Sequence, residues 1–196
     1  MRRVARLFFL MMVGCGGSPT SHIDTGPKEV PGLQGPAEEK KPEHDYNGWS
    51  RYAPADAQFE VRFPSEPIVQ PPSQANGNLH VAGVERKTVN SLAFICQWTI
   101  EKQPKASRAA EAAYLMGQQI GAVNSTKGRL VEGKDITLGD VNGREFTVAV
   151  GKDDVTRVRG YLAGKRMISL QVVGKDTEAV RSIDAQKFLD SLQISK

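Results

Sequence analysis

Between Gly143 and Leu192 the apolar period is two in three successive runs and then turns helical, a change that few folds accommodate. In Arg144–Val150, Phe146, Val148 and Val150 fall on one side and Glu145, Thr147 and Ala149 on the other. A Gly-Lys-Asp-Asp turn at 151–154 leads into Thr156–Leu162, where Val158 and Leu162 share a face. After Ala163-Gly164, the run Lys165–Val173 sets Ile168, Leu170 and Val172 together. Alternation of this kind marks strands with two unlike faces. Ser182 then offers a helix N-cap, and Ala185, Phe188, Leu189 and Leu192 follow at i, i+3, i+4 and i+7. The stretch predicts a three-stranded meander covered by an amphipathic helix.

The residues before it extend the pattern. Trp49–Tyr52 begins the domain, and Ala53–Gln58 reads as a turn. Phe59, Val61 and Phe63 alternate with Glu60 and Arg62 in a half-buried strand that Pro64 stops. Residues 65–78, with Pro67, Pro71, Pro72 and Gly77, read as a long loop, and long loops are either functional or merely mobile. Leu79–Arg86 and Ser91–Ile100 are strands joined by a turn around Lys87–Asn90; Phe94, Cys96, Trp98 and Ile100 share one face of the second, Ile95, Gln97 and Thr99 the other. Ser107 caps a helix whose apolar stripe is Ala109, Ala112, Ala113, Met116, Ile120 and Val123, with Gly117 and Gly121 either weakening it or letting it approach the sheet. Leu130–Leu138 is a further strand, and residues 139–143 form a hairpin turn that lacks the length and closing Glu of a calcium loop. Mostly antiparallel strands with two helices predict a single α+β domain over residues 49–196.

Charge locates a different signal. The net charge of +4 and pI near 9.1 invite a nucleic-acid reading. Arg2, Arg3 and Arg6 account for +3 of it within the first 15 residues, and no basic stripe with interleaved aromatics follows, so no nucleic-acid partner is expected. Those arginines precede the apolar run Leu7–Val13, too short to span a bilayer but suited to a signal peptide at residues 1–14. Met12-Val13-Gly14-Cys15 resembles the bacterial lipobox, with Met12 where Leu is usual. The resemblance implies that Cys15 receives a diacylglycerol thioether, becomes the mature N-terminus and is acylated on its amine. Two or more chains give stable anchoring. Gly16, not Asp, follows the cysteine, which by the same resemblance favours export to the outer membrane or periplasmic face. Residues 15–48, with five prolines and the run Glu38-Glu39-Lys40-Lys41, read as a disordered tether. It would reach on the order of 110 Å at full extension and about 30 Å typically. His22, Asp24, His44 and Asp45 fall in it and match no metal spacing, so no metal or cofactor is expected.

In the domain, Phe59–Pro64, Gly143-Arg144-Glu145 and Phe188-Leu189-Asp190-Ser191-Leu192 resemble the PsbP-like α/β/α sandwich domains. The resemblance implies an antiparallel sheet with helices on its faces and accessory or assembly roles, not catalysis. Cys96 has no disulfide partner if Cys15 is lipidated, and it reads as a buried, inert thiol. His80, on the neighbouring strand, is the only candidate base for it in the domain. No phosphate loop, nucleophile elbow or metal cluster is present, and no catalytic residue is assigned. The expected function is that of a membrane-tethered envelope lipoprotein of interaction or assembly type, holding a protein partner. A small-ligand site near loop 65–78 is the alternative; oligomeric state is left open. The candidate interaction face is polar: Arg157, Arg159, Tyr161 and Gln171, with Glu145, Thr147 and Ser169, set opposite the apolar side of the meander. If that face is open, Ala at Arg157 and Arg159 removes partner capture with little loss of stability.

Overall fold

The computed structural model describes residues 44–55, 57–73, 79–87, 91–100 and 107–195. Cys15, His22, Asp24, the expected signal peptide and most of the expected tether lie outside them, as do residues 88–90 of the turn after Lys87.

Strands β1 (Ser50–Tyr52), β2 (Phe59–Phe63), β3 (Ile68–Ser73), β4 (Leu79–Arg86) and β5 (Leu92–Ile100) precede helix α1 (Arg108–Thr126). Then come β6 (Arg129–Leu138), β7 (Val141–Val150), β8 (Asp154–Ala163) and β9 (Arg166–Gly174). A 3₁₀ turn at Ala179–Arg181, helix α2 (Ile183–Asp190) and β10 (Gln193–Ile194) close the chain. Seven strands form one antiparallel sheet in the order β3-β4-β5-β9-β8-β7-β6, and β2 lies between β1 and β10 in a second, small sheet. Among the described residues this is the expected α+β architecture, an antiparallel sheet with two helices. Both predicted caps form: Ser107 Oγ accepts from Ala110 N at 3.2 Å, and Ser182 Oγ from Ala185 N at 3.4 Å.

Turn length decides what each face carries. Gly164-Lys165 is a two-residue turn that puts Ala163 opposite Arg166, with Gly164 in the left-handed region at φ +60°. Arg157, Arg159 and Tyr161 therefore stand opposite Val172, Leu170 and Ile168. The three residues Gly151–Asp153 put Glu145 opposite Arg159 and Thr147 opposite Arg157. One face of the sheet is consequently apolar on β5 and β9 and polar on β8 and β7. Helix α2 and the small sheet cover its apolar half. Phe63, Phe94 and Phe188 meet there, ring centroids 5.1–5.3 Å apart, with Leu189 and Leu192 fully buried beside them. The other face carries Phe146, Val148 and Val158, which pack under Ala122 and Val123 of α1, and Leu162 and Met167, which pack with Leu115.

Four expectations need correction. Gln171 and Ser169 pair with Val158 and Gly160 and so lie on the α1 face, away from Arg157 and Arg159; the two-residue turn shifts parity by one. The stripe of α1 is rotated: Met116 and Ile120 are 39% and 52% exposed, and Ala109, Ala112 and Ala113 face solvent, whereas Leu115, Gln119 and Thr126 are buried. Leucine buries more apolar area than alanine, so Leu115 outweighs the row of alanines in setting the helix's rotation. Gly117 has open space where a Cβ would stand, so it brings no backbone close to the sheet. Residues 68–73 are not loop but the edge strand β3, with Pro71 and Pro72 on an outer rung where a missing N–H costs least.

The domain also starts earlier than Trp49. His44 Nε2 lies 2.9 Å from Asp190 Oδ2, and Tyr46 OH donates to Lys187 O at 3.0 Å. Lys187 Nζ sits 4.8 Å over the Trp49 ring. His44 is thus docked on α2, not a solvated tether residue. Among the described residues no helix is long and apolar enough to cross a membrane.

Candidate functional site

Helix α2 leaves the polar half of its face partly uncovered, and a charged lattice fills the gap. At its centre is Glu145 of β7, a buried carboxylate. Arg157 Nη2 donates to both of its oxygens at 3.1 Å each, and Arg159 Nε donates to Oε2. Arg159 Nη1 donates to Asp190 Oδ1 at 2.5 Å. Gln186 stands one helical turn before Asp190 on α2 and joins both ends: it accepts from Arg157 Nη1 at 3.0 Å and donates to Asp190 at 2.9 and 3.0 Å. Two strand arginines are thereby stitched to the flank of the helix that covers the core. Tyr161 lies on the same face, opposite Ile168, and is buried.

The charge states follow from this packing. Burial alone would raise the pKa of Glu145, but the Arg159 and Arg157 charges and hydrogen bonds outweigh it and hold the carboxyl below its ordinary value. Asp190 behaves alike: burial opposes ionisation, and the hydrogen bonds from His44 and Arg159 prevail. Burial pushes the Tyr161 hydroxyl up to about 12, so it is neutral across the physiological range.

Beside the lattice lies a cleft of ≈ 460 Å³. Glu145, Arg157 and Gln186 form its inner wall, and Glu132, Gly133 and Lys134 of the edge strand β6 with Arg181 form its rim. The two-residue turn Gly139-Asp140 places Lys134 opposite Glu145. Glu132 Oε1 accepts from Arg181 Nη2 at 2.7 Å and from Thr147 Oγ1 at 3.1 Å. Arg157 Nε is buried and has no hydrogen-bond partner. A second, small cavity of ≈ 40 Å³ lies on the α1 face, where Gln171 Nε2 donates to Gln97 Oε1 at 2.8 Å and Ser169 Oγ at 3.3 Å.

The sequence therefore placed part of this lattice on one face of the sheet. It grouped Arg157, Arg159, Tyr161, Glu145 and Thr147 correctly and misplaced Gln171. It took the face for an open platform, whereas Arg157, Tyr161 and Gln171 are at most 8% exposed. Side chains so placed cannot be the first contacts of a macromolecule. Removing Arg157 or Arg159 would strip a counter-charge from a buried carboxylate, so the structure predicts a larger loss of stability than an open face would. Glu132, Lys134, Arg181, Gln186 and Asp190 were missed. Counting back from Gly139-Asp140 finds Lys134, and the i, i+4 pair Gln186–Asp190 marks the polar flank of α2. Among the described residues, 65–73 line neither of these two cavities.

Cys96 is fully buried among apolar residues, and burial raises its thiol pKa further. His80 stacks flat on Trp98, 3.8 Å between centroids and 11° between planes, and makes no hydrogen bond to Cys96. Among the described residues no three His, Cys, Asp or Glu side chains are grouped to hold a metal.

The same arrangement of sheet and helices occurs in the solution structure of cyanobacterial PsbP (CyanoP) from Synechocystis sp. PCC 6803, with a TM-score of 0.51 over 74% of this chain and 92% of that one, at 11% identity. The fold is PsbP-like. A crystal structure of a Pseudomonas aeruginosa protein of unknown function, PA94, covers 68% of this chain and 86% of its own at 11% identity; its TM-score of 0.39 is too loose to say more. No family model matches the chain, and no curated protein matches it in sequence. At 11% identity the PsbP-like fold transfers an architecture and no binding residue.

Proposed function

We propose that this chain is a lipid-tethered envelope protein of interaction or assembly type, carrying its PsbP-like domain near a membrane surface. The observation that carries the reading is Met12-Val13-Gly14-Cys15, placed directly after a basic segment and a short apolar run. His44 already docks on α2, so a tether from a lipidated Cys15 to the fold would be drawn from residues 16–43. The accessory and assembly roles implied by the PsbP-like resemblance support a binding protein over a catalyst. So does the chemistry of the domain: the carboxylates of the polar face are held ionised by arginines, its tyrosine is neutral, and Cys96 is sealed in the apolar core.

The test is metabolic labelling with an alkyne fatty acid in a bacterial host, followed by the intact mass of the membrane-extracted chain. The expected product starts at Cys15 and carries diacylglyceryl and acyl mass, and Cys15→Ser loses both label and membrane association. An unlabelled chain cut at another residue would refute the tether.

A further inference from the structure

The cleft beside α2 has a charge imbalance that the fold does not need. The lattice and rim together hold four cations, Arg157, Arg159, Arg181 and Lys134, against three carboxylates, Glu132, Glu145 and Asp190. Each carboxylate is satisfied within the protein. Glu145 has two arginines, Asp190 has Arg159 with Gln186 and His44, and Glu132 has Arg181 with Thr147. The Lys134 side chain makes no hydrogen bond or ion pair among the described residues, although it stands opposite Glu145 in the register. Arg157 Nε, a charged donor, is likewise without a partner. An unmade bond at a buried charged donor is costly, and Arg157 Nε is one, while Lys134 stands exposed at the rim with its charge free to meet a ligand.

We infer that the cleft lined by Lys134, Arg157, Arg181 and Gln186 is a binding site for a phosphate-type oxyanion. Lys134 supplies the point charge. Arg181 supplies a planar donor set that can swing off Glu132, because their pair is solvent-exposed and held weakly. Arg157 keeps Glu145 and Gln186 and closes the inner end, where Gln186 presents a neutral polar wall. Glu132 and Glu145 also line the cleft. Both are already neutralised, and they limit the site to a group with about one net negative charge, which suits a phosphodiester or monoanionic phosphate ester. A volume of ≈ 460 Å³ leaves room for a polar substituent beyond the phosphate. The group can come from a soluble phosphate ester or from the headgroup of an anionic phospholipid; the shared chemistry is the same. The inference does not depend on a lipid at Cys15.

The experiment is thermal unfolding of the full chain in detergent, with inorganic phosphate or glycerophosphoglycerol against chloride at equal ionic strength and pH 7. The wild type and the double variant Lys134→Gln/Arg181→Gln are compared; both positions are exposed, so the variant keeps the fold. At about 20 times the dissociation constant, mass action raises the wild-type Tm by about 5 °C for a domain of this size. The general salting-in or salting-out effect of phosphate acts on both proteins and cancels in the comparison. The expected result is a shift in the wild type that the double variant loses and Lys134→Arg retains. Tenfold or tighter binding of glycerophosphoglycerol than of phosphate assigns the site to a lipid headgroup; equal or weaker binding assigns it to a soluble ester. Equal shifts in wild type and double variant, or no shift in either, overturn the inference.

Discussion

Glu145 is the residue on which the polar half of the sheet depends, and Glu145→Gln tests that dependence without changing shape. The carboxylate takes three hydrogen bonds from two arginines while buried. Breaking a buried ion pair from one side costs about 3–5 kcal/mol, because a charge is left uncompensated. Here Arg159 keeps Asp190 and Arg157 keeps Gln186, so the loss falls at the lower end, about 3 kcal/mol. For a domain near 150 residues that corresponds to a fall in Tm of about 10 °C. Urea denaturation at pH 7 should show the same loss as a lower midpoint at unchanged slope. The pH dependence makes the test specific. The folded pKa of Glu145 lies below its ordinary 4.5, so its contribution is fully present above that value and disappears as pH falls through the folded pKa. The gap between wild type and Glu145→Gln should therefore be constant from pH 5 to 7 and close in acid. A gap under about 1 kcal/mol at pH 7, the size of an exposed pair, would show that water screens the lattice and that it does not hold the sheet to α2.

Other consequences are simpler to check. Leu115→Ala should cost about 2–4 kcal/mol in urea melts and Ile120→Ala less than about 0.5, since one side chain is sealed under the sheet and the other is half exposed; the reverse order would restore the alanine stripe as the packed face. Gly143→Ala should destabilise by about 1–3 kcal/mol, because its Cβ would stand 2.6 Å from the Tyr161 ring and 2.8 Å from Gly160 O. Cys96 should react with a thiol reagent only as fast as the domain unfolds, and a rapid native-state reaction would contradict its burial. Ser107→Ala should lower stability by about 1 kcal/mol through loss of the α1 cap, read by the same melts.

How much of this was legible in the chain turns on one distinction, between the period of a strand and the parity of its neighbour. Period two is local. It found β2, β4, β5, β7, β8 and β9, and it showed that each had two unlike faces. It does not say which face of one strand continues which face of the next. The count of turn residues says that: in an antiparallel hairpin with a two-residue turn, odd positions face even ones, and with a three-residue turn odd faces odd. Taking Ile168, Leu170 and Val172 to share a side with Val158 and Leu162 followed hydrophobicity across a turn where parity shifts. Gly164-Lys165 instead sets them beside Tyr161, Arg159 and Arg157. The same count, applied at Gly139-Asp140 and Gly151–Asp153, would have put Lys134, Glu145 and Arg159 on one rung. That rung was in the sequence. What closes it was not, because Gln186, Asp190 and His44 arrive through the docking of α2 and the chain's entry on it, and no local period encodes where a helix lands. The rotation of α1 was hidden for a related reason. Its two possible stripes differ by about one residue step, and the choice is made by a tertiary contact, the bond from Arg144 Nε to Gln119 Oε1 at 2.7 Å, together with the area Leu115 buries. A sheet that is apolar on opposite faces at its two ends needs a helix on each, and α2, seated on the apolar half of its face, leaves the buried charged lattice of the other half beside it. The cleft is thus a consequence of the same turn lengths that fix the core.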